Sequence, residues 1–167
     1  VRYLTNHDVN GSDGTPLELF GGKSGSMAAF VVVAYMKGIP MVYNGQEIGT
    51  PYRLTFPFTG RRIDWALGDA NREVTAEYKK VIAFRNKSNA IRRGELASYS
   101  SDDVCAFTKS LGKEQVLVLS NLRNKEVDFT LPATIAGKQW KNAFDGTKVS
   151  LNAALKMQPY QYLVLTK

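Results

Sequence analysis

Between Met27 and Met36 the chain reads Met-Ala-Ala-Phe-Val-Val-Val-Ala-Tyr-Met, apolar almost all round. A helix without a polar face must be covered on every side, so it lies between layers and not on a surface. Ser24 is the expected cap at its start, and Gly38 ends it, giving a helix to about Lys37. A short apolar run stands on each side. Val1, Tyr3 and Leu4 read as one buried strand; Ile39-Pro40-Met41-Val42-Tyr43 reads as another, with Pro40 tolerated near its start. Strand, long apolar helix, strand is a βαβ unit, and its strands run parallel.

In parallel-sheet proteins ligands and chemistry collect at the C-terminal tips of the strands. The first expected strand ends in Asn6-His7-Asp8, which holds the only histidine of the chain. The second ends in Asn44-Gly45-Gln46-Glu47, so Gln46 and Glu47 are expected level with His7 and Asp8. Residue types alone leave two readings of the first tip. It is a polar site, or a strand end with turn-forming Asn and Asp and a satisfied histidine.

Residues 9–16 are rich in Gly, Asn, Asp and Pro and read as a loop. From 48 to about 70 a longer loop carries Tyr52, Phe56, Phe58 and Trp65, rings that either line a pocket or pin the loop to the body. Asn71 is the expected cap of a surface helix with the stripe Val74, Tyr78, Val81, Ile82 and Ile91. Its Lys and Arg residues read as a solvated face.

At Gly94 the pattern changes. Six short β-type runs follow, Leu96–Tyr99, Val104–Thr108, Val116–Ser120, Val127–Leu131, Gln139–Phe144 and Tyr160–Leu165, separated by turn residues. They read as a small antiparallel sandwich, with Asp145-Gly146 as a hairpin turn. The fold class is therefore α/β followed by all-β, with one unit over 1–93 and a second over 94–167.

The balance of 22 Lys+Arg against 15 Asp+Glu gives a net charge of +7. An acidic partner such as nucleic acid would show steeply salt-dependent binding. However, the charge is spread over helix and loops without a nucleic-acid motif, so no nucleic-acid partner is expected. Cys105 is alone, which excludes an internal disulfide. One His and one Cys cannot close a zinc site, and no metal site is expected. No run approaches the roughly 20 apolar residues of a membrane span. The chain opens on Val1 inside an apolar run, so it is expected to be cut from something longer. Its location stays open; a secreted, periplasmic or cell-surface parent is compatible with it.

Leu4-Thr5-Asn6-His7-Asp8, followed at this distance by Gly38-Ile39-Pro40-Met41-Val42-Tyr43-Asn44-Gly45-Gln46-Glu47-Ile48-Gly49, resembles the last two barrel strands of α-amylase-type enzymes, glycoside hydrolase family 13. The later Arg61-Arg62-Ile63-Asp64-Trp65, the long helix and the β-domain fit the same order. The resemblance implies a partial (β/α)8 barrel, strands seven and eight with their helices, and then the C-terminal sandwich. A full barrel needs about 250 residues.

It also implies a parent that cleaves α-glucosidic bonds of starch-like glucans or maltooligosaccharides with retention, a reaction carried by a nucleophilic carboxylate and a proton-donating one. In the family both stand on earlier strands, and neither has a match here, so the isolated piece is expected to be inactive. Carried over, Asp8 is the third catalytic carboxylate, which binds sugar hydroxyls, and His7 is a substrate-binding donor. Glu47 is read as structural. No cofactor is expected in this piece; calcium would belong to the missing part. The alternative function is a non-catalytic carbohydrate-binding sandwich using Tyr99, Tyr160, Tyr162 and Trp140, with core packing the other use of Trp140. A quarter barrel also leaves strand edges open and Met27–Met36 short of partners, so the isolated piece is expected to self-associate, to rearrange, or to be stable mainly through its sandwich.

Overall fold

The computed structural model describes residues 1–167. Its centre is the helix α3, Gly22–Tyr35, in which nine of the residues are buried. It begins two residues before the expected cap. Gly21, in the left-handed region at φ 77°, takes the N-cap position, and Ser24 is an exposed residue inside the helix. Two short helices precede it, α1 (His7–Ser12) and α2 (Pro16–Leu19). The first replaces part of the expected loop, because Asn6 supplies a cap that residue composition alone does not reveal.

The two expected strands meet but barely form. Arg2 and Pro40 make an isolated parallel bridge, with Arg2 N–H donating to Ile39 O (2.9 Å) and Met41 N–H to Arg2 O (2.8 Å). The direction is the expected one. The extent is one residue pair, and Val1, Tyr3, Ile39 and Val42 stay exposed, since no neighbouring strand covers them.

After a long loop come α4 (Leu67–Ala70), α5 (Arg72–Lys87) and α6 (Asn89–Arg93). The single helix expected here is broken at Ser88. That side chain accepts the Ile91 N–H (3.1 Å) and donates to Glu114 (2.6 Å), so it caps a new helix and ties it to the sandwich. Asn71 does occupy the N-cap of α5, yet its amide donates to Ile48 O instead of capping the helix.

The β-domain has eight strands: β1 (Glu95–Ser98), β2 (Val104–Leu111), β3 (Glu114–Asn121), β4 (Val127–Thr130), β5 (Gln139–Asn142), β6 (Lys148–Ser150), β7 (Ala154–Met157) and β8 (Tyr162–Thr166). Six form an antiparallel sheet in the order β1-β2-β3-β8-β5-β6, and β4 pairs with β7 in a second. The antiparallel sandwich is as expected, but β6 and β7 are two strands more than the pattern revealed. Both are short and largely exposed, so they lack an apolar run.

In β3, Val116 and Val118 face the helices, while Leu117 and Leu119 face the second sheet with Phe129 and Met157. A strand covered on both faces is apolar throughout, as this one is.

The sheet also supplies the partners that α3 needs. Phe30, fully buried, lies 4.3 Å from the Tyr78 ring of α5 between centroids. Phe107, Val116, Val118 and Val164 complete the same cluster from the sandwich. Ser120 Oγ donates to Ala28 O (2.9 Å) and Tyr35 Oη to Val81 O (3.0 Å). Arg85, expected on a solvated face, turns inward to donate to Ala34 O and Gly38 O at the C-terminal end of α3. The expectation that Met27–Met36 would lack cover is corrected in part: Met27–Val31, Ala34 and Tyr35 are buried by the chain itself, while Val32, Val33 and Met36 stay half-buried.

A core shared in this way should melt as one unit. In a Trp65→Phe background, unfolding followed by helical circular dichroism and by the fluorescence of the buried Trp140 should coincide. Phe30→Ala should lower both midpoints together, at a cost of about 3–5 kcal/mol. Two separated transitions would contradict a common core.

Candidate functional site

Asn6 sits in extended backbone, and its Oδ1 accepts the N–H groups of Asp8 (3.0 Å) and Val9 (2.8 Å). Its side chain is therefore committed to starting α1. His7 and Asp8 project from the first turn, both exposed, with Nε2 and Oδ1 3.3 Å apart. The structure does set this imidazole and this carboxylate side by side. Together they offer a ring N–H donor and several carboxylate lone pairs, a set suited to sugar hydroxyls. Neither side chain lines the cavity found at the second tip.

The second tip differs from the expected arrangement. Gly45 (φ 85°) leads into a single 3₁₀ turn, Gln46–Ile48. A Cβ on Gly45 would lie 2.7 Å from Thr50 Oγ1, so only glycine fits without a shift. Gln46 is buried and donates to the Tyr78 hydroxyl (2.8 Å), while its Oε1, Thr50 Oγ1 and Glu47 Oε2 have no protein partner. Gln46 thus points into the body. Glu47 borders a separate shallow cleft with Val42 and Lys79, so the two do not join His7 and Asp8.

The hollow at this tip belongs to other residues. A cavity of about 550 Å³ is walled by Tyr43, Asn44, Phe58, Arg61 and Trp65. Burial pushes the Tyr43 phenol above its ordinary pKa. Both readings of the loop aromatics hold, for different rings. Phe58 and Trp65 line the hollow and stay more than half exposed. Tyr52 pins the loop: its hydroxyl donates to Arg62 O (3.0 Å) and accepts the Asp64 N–H (2.8 Å), with the Arg61 guanidinium 3.4 Å from the ring centroid. Asp64 caps the turn at Ala66 (3.0 Å). Tyr43 and Asn44 are read in the sequence only as the end of the second strand, not as lining residues, although an aromatic before Asn-Gly at a strand tip is the available signal.

Three contacts hold this loop against α1 and α2. The buried Asn10 accepts the Leu54 N–H through Oδ1 (2.7 Å). Arg53 donates to Ser12 O (2.9 Å) and pairs with Glu18 (3.3 Å). Glu18 closes a capping box with Thr15, accepting its N–H at 2.7 Å. That backbone bond, aided by Arg53, holds the Glu18 carboxyl below its ordinary range. No three His, Cys, Asp or Glu side chains gather in a metal-binding set. In the sandwich Trp140 is 1% exposed, so it packs the core and offers no face to a sugar.

Asn10→Ala strands the Leu54 N–H and should cost about 1–3 kcal/mol, read as a lower melting midpoint. An unchanged midpoint would remove Asn10 as the tie. Glu18 gives a pH test. Its folded pKa lies below the unfolded one, so its contribution is present above the unfolded value and is lost as pH falls through the folded one. The midpoints of wild type and Glu18→Gln should differ at neutral pH and converge in acid. A constant gap would show that the charge is not involved.

Residues 95–164 match the family described as the C-terminal domain of maltogenic amylase. A cyclomaltodextrinase from Geobacillus thermopakistaniensis (strain MAS1) is 27% identical over 133 residues, 76% of this chain and 22% of the relative. Neopullulanase 2 from Thermoactinomyces vulgaris is 27% identical over 146 residues, 83% of this chain and 25% of the relative. The chain thus spans about a quarter of the length of these relatives. Among solved structures, AmyP in complex with maltose superposes with a TM-score of 0.72 at 17% identity, over 86% of this chain and 34% of that one. The trehalulose synthase MUTB superposes with a TM-score of 0.73 at 18% identity, over 99% of this chain and 42% of that one. Together with the two strand-tip motifs, these matches support the resemblance of the chain to a C-terminal piece of the α-amylase family, glycoside hydrolase family 13, and make residues 95–164 similar to the C-terminal domain of maltogenic amylase.

Proposed function

We propose that the chain is the last part of a retaining α-glucan hydrolase, holding barrel strands seven and eight, their helices and the C-terminal sandwich. The observation that carries this reading is the parallel Arg2–Pro40 bridge across α3, which leaves Asn6–Asp8 and Asn44–Glu47 following paired segments of one direction. The exposed Val1, Tyr3, Ile39 and Val42 are then the surface that preceding strands cover.

Retaining cleavage needs one carboxylate to attack the anomeric carbon and another to protonate the leaving oxygen. This chain supplies neither. Asp8 accepts hydroxyl protons from the glucose ring at the cleavage point, and the neighbouring His7 donates to another oxygen of that ring. Such bonds tighten as the ring flattens and gains positive charge, so they contribute to the rate more than to binding. Tyr43, Phe58 and Trp65 give the glucan an aromatic wall beyond that point.

The 167-residue chain alone should release no chromophore from a chromogenic maltooligosaccharide, and clear turnover would contradict the missing pair. In the full-length parent Asp8→Asn should lower kcat at least about 100-fold with a smaller change in KM. A near-normal kcat would remove Asp8 from the reaction.

A further inference from the structure

A second hollow lies where the helices meet the sandwich. The N-terminal parts of α3 and α5 form one side, and β5, β8 and the segments beside them form the other; the volume is about 500 Å³. That is within the range of small-molecule sites. It shares no residue with the Tyr43–Trp65 cavity.

Its wall is fixed by an unusual residue. Tyr160 adopts φ 55°, a costly conformation for an aromatic side chain. Its ring lies on the start of α3, where a Cβ on Gly21 would fall 2.1 Å from the Tyr160 hydroxyl. Tyr162 and Phe144 continue the aromatic lining, and Met27 and Val74 are apolar residues beneath.

The charges around the cleft are already spent. Lys23 pairs with Glu73 (2.7 Å) and also reaches Asn71 (2.6 Å). Lys80 pairs with Glu77 (2.7 Å) and stands 4.6 Å over the Phe144 ring. Two cations and two anions cancel, so the cleft has no spare charge for an ionic ligand. Uncharged donors do remain. Asn142 accepts the Phe144 N–H (2.9 Å) and Gln161 accepts the Gln158 N–H (2.8 Å), which uses their oxygens and leaves both NH₂ groups without a protein partner. The hydroxyls of Tyr160 and Tyr162 make no hydrogen bond within the protein either. A purely apolar ligand would leave these groups unsatisfied. Aromatic faces, neutral donors and no net charge suit a polyhydroxylated, uncharged ligand.

We propose that this junction cleft is a binding site for a neutral oligosaccharide, separate from the rim at His7 and Asp8. The test is a titration of the ¹⁵N-labelled 167-residue chain with maltoheptaose to ~10 mM, the range of weak sites. The expected result is saturable movement of the amide signals of residues 142–144 and 160–164. Ser24→Trp, an exposed change at the cleft mouth, should weaken that binding at least ~10-fold with an unchanged melting midpoint. Absence of shifts at those residues would overturn the proposal. So would shifts confined to residues 7–8 and 43–65, or tighter binding of dextran sulfate than of maltoheptaose at the cleft.

Discussion

The structure depends on the burial of one helix. The apolar body of α3 must be covered, and most of it is covered by two parts of the chain that look unrelated in sequence. Tyr78 and Val81 of α5 close one side; Phe107, Val118 and Val164 of the sandwich close another. The Ser120–Ala28 hydrogen bond joins residues 92 positions apart across that layer. The sandwich covers one side of α3, so the segments on either side of that helix are coupled to the folding of the sandwich.

That coupling explains what the first 93 residues can and cannot be. The parallel pairing expected of them exists only at Arg2 and Pro40, because a strand is stabilised by neighbours on both edges and here each segment has one. What remains around it is held by side chains: Asn10 on Leu54, Arg53 on Ser12 and Glu18, Asn71 on Ile48. Side-chain ties of this kind hold these loops in place without a sheet beneath them.

How much of this could be read beforehand follows from which interactions are local. The apolar character of Met27–Met36, the change of pattern at Gly94 and six of the strands were legible, because each is written in the residues that form it. The helix break at Ser88 was not, since it depends on Glu114, 26 residues away. Nor was the inward turn of Arg85, which answers carbonyls on another helix. At the site, the pairing of His7 with Asp8 was legible from adjacency. The diversion of Gln46 to Tyr78 and the hollow under Tyr43 arise from tertiary contacts and leave only faint local signs. Strands β6 and β7 escaped for a related reason: they bury few residues and borrow their order from their partners.

The central claim is that α3 belongs equally to the helical part and to the sandwich. Native-state hydrogen exchange measures this residue by residue. If the account is right, the amides of Phe30, Val31 and Ala34 exchange only through global unfolding, with the same opening free energy as Val118 in β3 and Val164 in β8. Faster exchange of the helix, with the sandwich amides still protected, would mean that α3 opens by itself and that the shared core does not exist.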